Sequence, residues 1–191
     1  SGTDTTVLLV SLLVALGALA VAFVMMQGVL KPDTGGKEMT DISDAIHEGA
    51  MAYITRQFRT IAVIIVPLAA VVFLTSTEIA RGDDSIALGF FQSGLFRTLA
   101  FILGGAASAA IGFLGMWLAT KANVRTTAAA VRSDFGGAFL VAFRTGGVVG
   151  LATAGLALLG ATGIILLFQN TSSAILVGFG FGGSLLALFL R

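Results

Sequence analysis

A chain of 191 residues would ordinarily suggest one soluble domain, but here hydrophobic residues make up 57% and charged residues only 11%, against about 25% charged in an average soluble domain. So few polar side chains cannot cover a globule, and most of the surface must face lipid. A net charge of +1 gives no basic face for nucleic acid, the lack of Cys rules out a disulfide framework or thiolate metal site, and the lone His47 cannot build a His cluster for zinc.

In lipid the backbone must satisfy its own hydrogen bonds, which leaves helices or a closed barrel. Barrel strands alternate apolar and polar residues, whereas the apolar runs here are continuous. The expected class is all-α, a polytopic transmembrane helix bundle, and the runs predict five spans, at about 7–30, 53–75, 95–120, 139–168 and 173–191. The first is longer than a signal-peptide core and follows Asp4 rather than a basic segment, so it reads as a retained span. The second has a purely apolar part of only Ile61 to Leu74 and borrows its first turns from Tyr53 to Thr60. Pro67 inside it is tolerable where neighbouring helices satisfy the freed carbonyl. Before it, Ile42, Ile46, Ala50, Tyr53 and Ile54 recur at three- and four-residue intervals, which predicts a helical extension over about 39–57, with Asp41 or Ser43 as its cap. A similar extension over 124–138 is expected to lead into the fourth span. The alternative for both is a helix lying on the headgroups.

The connections differ in charge. Residues 31–59 and 120–138, with Arg144, carry eight basic residues, while 76–94, with Arg97, and the link Gln169 to Ser172 carry two. The positive-inside rule puts loops 31–59 and 120–138 in the cytoplasm and the N-terminus outside.

Gly178, Gly180 and Gly183 fit GxGxxG, but a dinucleotide fingerprint needs a preceding strand and an acid about 20 residues on. Here the glycines lie in an apolar span, so they read as a packing face. The 25 glycines of the chain fit that use, because small residues let helices approach closely in lipid; the pairs Gly178/Gly182 and Gly146/Gly150 have the GxxxG spacing. Asn170-Thr171-Ser172 matches a glycosylation sequon by chance, in a short link against the membrane. Asp83-Asp84 and the group Asp41, Asp44 and Glu48 read as solvated charge rather than as a metal site; no catalytic and no metal-ligating residue is assigned. Arg191 follows an 18-residue apolar run, and its spacing alone leaves two readings even: a cation snorkelling at the interface, or an intramembrane charge with a carboxylate partner. Ser184 lies two turns earlier on the same helix face.

Four stretches carry a resemblance: Glu48-Gly49-Ala50-Met51-Ala52-Tyr53 with Arg56-Gln57; Ala119 to Thr127; Val141-Ala142-Phe143-Arg144 with Gly146 and Gly150; and Gly178 to Ser184 leading to Ala187-Leu188-Phe189-Leu190-Arg191. In order and spacing they resemble the N-terminal part of the membrane-integral, ion-pumping pyrophosphatases. The resemblance implies a homodimeric pump of roughly sixteen transmembrane helices per subunit. Such a pump couples hydrolysis of magnesium pyrophosphate to translocation of H+, or of Na+ in some members, across the membrane, here expected to be a prokaryotic cytoplasmic membrane. It also implies that Arg191 belongs to the ion-coupling region and Ser184 to the neighbourhood of the gate, which tips Arg191 away from snorkelling. The Mg2+ ligands and the pyrophosphate signature of the resemblance fall outside these residues, so the segment alone is expected to be a piece of a larger pump and inactive. Any K+ dependence and the choice of ion are left to positions downstream. The alternatives are a small five-helix transporter or channel subunit, which needs polar groups at the bilayer midplane, and a structural membrane subunit.

Overall fold

The computed structural model describes residues 2–80 and 86–190. Arg81, Asp83, Asp84 and Arg191 lie outside them. The elements in order are helix α1 (Gly2–Leu30), helix α2 (Lys37–Leu74), strands β1 (Ile79–Ala80) and β2 (Ile86–Leu88), helix α3 (Phe90–Val131), helix α4 (Phe135–Phe168), a 3-10 turn (Gln169–Thr171) and helix α5 (Ser172–Phe189). The strands form a small antiparallel pair, Ile79 opposite Leu88, too short to leave a sequence signal.

The expectation of five spans is corrected. Four helical stretches are long and apolar enough to cross a membrane: Thr5–Leu30, Lys37–Leu74, Phe90–Val131 and Phe135–Phe189. The fourth and fifth predicted runs belong to one stretch because no polar, non-helical connection separates them. The link 169–171 stays helical as a single 3-10 turn. The chain changes direction within that stretch, where Gln169 takes a positive φ of 44° and Gly160 of α4 comes to face the Phe179 ring of α5. The all-helical, multi-pass character holds.

Two boundaries also differ from the sequence reading. The helix that carries the periodic stripe starts at Lys37, with Gly36 in the N-cap position and no side-chain cap bond, rather than at Asp41 or Ser43. Residues 124–131 continue α3 rather than opening α4, because the helix breaks at Ser133, which adopts φ 60°. Asp134 then opens α4: its Oδ1 accepts from the Gly137 amide at 2.9 Å, a cap worth about 1 kcal/mol. Pro67 does not end α2.

α3 is the central element, packed against α2, α4 and α5. α1 packs along α4 through Ala15, Ala22 and Val29, all buried and spaced seven residues apart, the repeat of a left-handed helix pair. The two helices run antiparallel: a Cβ added at Gly155 of α4 would lie 2.9 Å from the Leu19 side chain, and one added at Gly147 would lie 2.9 Å from Met25. Ala22, Val29, Leu118, Ala122, Val141 and Val148 form one buried cluster, and Ala100, Ile164 and Ile175 form a second, flanked by Phe96 and Phe168, whose rings meet edge-on at 4.8 Å. Most of the remaining apolar side chains point outward, Val63, Leu74, Phe139 and Leu167 among them. In water that surface would be untenable; against acyl chains it carries no penalty.

At one end of the bundle α1 and α3 finish and α2 and α4 begin, and most of the basic side chains gather there. This is the basic end of the bundle. Arg132 of the α3 C-cap bonds Asp33 at 2.9 Å, and Arg125 Nε donates to the Leu30 carbonyl at 3.2 Å, capping α1. A helix leaves its last four carbonyls unsatisfied, and here a guanidinium from a neighbouring helix supplies the donor.

Candidate functional site

α3 and α5 run parallel and approach to backbone contact. A Cβ added at Gly178 would meet the Arg97 carbonyl, one at Gly182 the Phe101 carbonyl, and one at Gly104 the Phe179 carbonyl, each well inside van der Waals contact. The GxGxxG glycines therefore serve as a helix seam, but not as a set: Gly180 has open space around it. The Gly146/Gly150 pair, expected to pack in the same way, has nothing within 4 Å and no partner among the described residues.

The seam fixes the rotation of α5. Gly178 and Gly182 turn toward α3, which leaves Gly180, Ser184 and Ala187 on a different face. These three line a cavity of about 360 Å³ bounded by α3, α4 and α5, with Ser108 and Thr153 as its other hydroxyl residues. Thr153 returns its hydroxyl to the Val149 carbonyl at 2.7 Å. Ser184 stays exposed on α5, beside open space that a solvent molecule or another helix could occupy. Arg191, the other expected site residue, lies outside the described residues.

Three side-chain bonds between helices were not legible in the sequence. Gln57 of α2 donates through Nε2 to the Phe189 carbonyl of α5 at 2.7 Å. Arg97 of α3 donates through Nε to the Ala174 carbonyl at 3.2 Å, near the start of α5. His47 Nδ1 and Thr120 Oγ1 lie 2.7 Å apart between α2 and α3. Thr120 Oγ1 also lies 2.9 Å from the Trp117 carbonyl and 3.1 Å from the Met116 carbonyl of its own helix. Gln57 and Thr120 both fall in stretches that carry the resemblance. That signal marks the residue and not its partner.

Among the described residues no three acidic or histidine side chains converge. Asp44 instead lies 3.8 Å from Lys121, both reaching solvent, a contact worth less than about 1 kcal/mol. The described carboxylates therefore do not fit a magnesium site, which needs several oxygens around one ion, and no hydrolytic step is assigned to them.

Comparison with known proteins identifies relatives of this chain. The chain is 41% identical over 186 residues to the K(+)-insensitive pyrophosphate-energized proton pump of Chloroflexus aurantiacus, a match covering 94% of this chain and 24% of that protein. It is 40% identical to the pump of the same name from Methanosarcina mazei (94% and 24%) and 39% identical to that of Streptomyces coelicolor (93% and 23%). The chain thus spans about a quarter of the length of these curated relatives. The profile of one family, described as inorganic H+ pyrophosphatase, matches residues 16–191. A match that runs from within α1 through the whole α3–α5 seam shows that the chain belongs to the inorganic H+ pyrophosphatase family.

Proposed function

We propose that this chain is part of a pyrophosphate-energised H+ pump, working as a homodimer with Mg2+ bound by residues outside it. The observation that carries the reading is identity of about two residues in five, sustained over nearly the whole chain, to relatives named as such pumps. Those relatives are named K(+)-insensitive, so activity without K+ is part of the proposal, as is H+ rather than Na+ as the ion. Within the pump, these helices supply a scaffold: α3 holds α5 by the glycine seam, and the free face of α5 carries Ser184 toward the ion path, with Arg191 following in the chain as a coupling residue. The test is the full-length protein in sealed vesicles. Pyrophosphate with Mg2+ and no K+ should drive acid uptake, and residues 1–191 alone should release no phosphate. Pyrophosphate hydrolysis without acid uptake, or uptake that requires Na+, would sink this reading.

The orientation belongs to the same proposal. The basic end faces the cytoplasm, since loops rich in Lys and Arg are retained there. α2 is 38 residues long, about 57 Å at 1.5 Å per residue, so its first turns project beyond a hydrocarbon core of about 30 Å. In intact cells Glu78→Cys is expected to react with an impermeant thiol reagent, and Lys37→Cys only after permeabilisation. The reverse labelling pattern would invert the proposed topology.

A further inference from the structure

We infer that Gln57 is a positioning residue: its side-chain amide on α2 holds the terminal turn of α5, and with it the register of the residues that couple hydrolysis to ion movement. The inference rests on the pump reading above.

The end of α5 is gripped from two sides. Gln57 Nε2 donates to the Phe189 carbonyl at 2.7 Å. On the other side Leu190 reaches over Gly112 of α3, where an added Cβ would lie 2.8 Å from Leu190 Cδ1. α2 otherwise touches α5 very little, so the amide bond is the principal tie between the helix that projects from the basic end and the helix that carries Ser184. The depth suits the task. From Gln57 to Leu74 is about 26 Å of helix, so in the proposed orientation Gln57 sits near the cytoplasmic edge of a hydrocarbon core about 30 Å thick, and its bond holds the Phe189 carbonyl at the same depth. A donor is needed there because a terminal helix carbonyl in that setting has little water to bond. Glutamine supplies an N–H without a charge; a carboxylate at the same place would present an acceptor to an acceptor.

The Arg191 position is two residues past the bonded carbonyl. If the end of α5 is free to rotate or lift, a side chain there no longer stays aligned with a partner on another helix. Loss of the Gln57 bond then changes the ratio of ions moved to pyrophosphate split more than it changes assembly of the bundle, which the glycine seam maintains.

The experiment uses the full-length pump in sealed vesicles, with a spin label placed through Ala187→Cys in an otherwise Cys-free protein. Gln57→Glu, nearly identical in shape, and Gln57→Leu both remove the donor; Gln57→Lys keeps one on a flexible stem. A lost hydrogen bond of ordinary strength gives a drop of about fivefold in acid uptake per pyrophosphate for Glu and Leu, with label mobility raised in both. The Lys variant should recover both readouts to within about twofold. Unchanged label mobility in Glu and Leu overturns the inference, as does an unchanged uptake ratio. Equal loss of hydrolysis and uptake in all three variants, Lys included, also overturns it by showing a purely structural role. A wild-type protein that splits no pyrophosphate defeats the pump reading instead, and the label still reports whether Gln57 holds α5.

Discussion

Gly182→Ala is expected to separate α3 from α5, while Gly180→Ala, two residues away, leaves the protein unchanged. The new Cβ at Gly182 would fall on the Phe101 carbonyl oxygen. Backbone cannot swing aside as a side chain can, so the helices must move apart along the whole seam. Overpacking of this kind costs about 3 kcal/mol, and the loss of close contacts at Gly104 and Gly178 adds to it. Gly180 has nothing within 4 Å, and Ala is the better helix former there, so that change is neutral or mildly favourable. Thermal unfolding in detergent, followed by circular dichroism, compares the two variants. Equal Tm values would mean that the seam does not hold the bundle. A dinucleotide reading of GxGxxG would instead make Gly180 as sensitive as its neighbours.

The second large effect concerns Arg191 in the complete pump, under the proposed coupling role. A guanidinium among membrane helices is tolerated when it is paired, and removing one partner of a buried pair costs about 3–5 kcal/mol because the other charge is stranded. Arg191→Ala is therefore expected to lower acid uptake by about a hundredfold or more if that cost falls on the transfer step. Arg191→Lys keeps the charge but loses the planar fork, so it should recover only part of the loss. Ser184→Ala removes a hydroxyl with no charge and should have a smaller effect on the same readout. Hydrolysis and acid uptake measured side by side in vesicles separate coupling from folding. Normal uptake in Arg191→Ala would return Arg191 to snorkelling at the interface.

The helical class and the membrane environment were legible because both follow from composition and periodicity, which are local. The long α2 was legible for the same reason: Ile42, Ile46 and Ile54 recur at helical spacing well before the apolar run begins. Where the reading failed, the missing information was a single backbone angle or a contact distant in sequence. Ser133 gives no strong breaker signal, yet its positive φ assigns residues 124–131 to α3. The uncharged link after Phe168 reads in the sequence as a loop between two spans, whereas it remains helical and joins them in one stretch.

Composition and charge pattern are enough to place this chain among lipid-facing helices with an uneven distribution of basic residues. With so little polar surface, no soluble arrangement satisfies the backbone and buries the apolar runs. Its glycine content also determined that helices would pack closely somewhere. Where they do so depends on the packed fold. Gly104, Gly178 and Gly182 meet carbonyls of a neighbouring helix, while Gly146 and Gly150, with equally good spacing, meet nothing. Spacing shows which glycines share a helix face, but a close approach exists only when a second backbone arrives at that face. The same holds for Gln57 and the Phe189 carbonyl, 132 positions apart in the chain: their bond depends on how α2, α3 and α5 pack together, which no local pattern encodes.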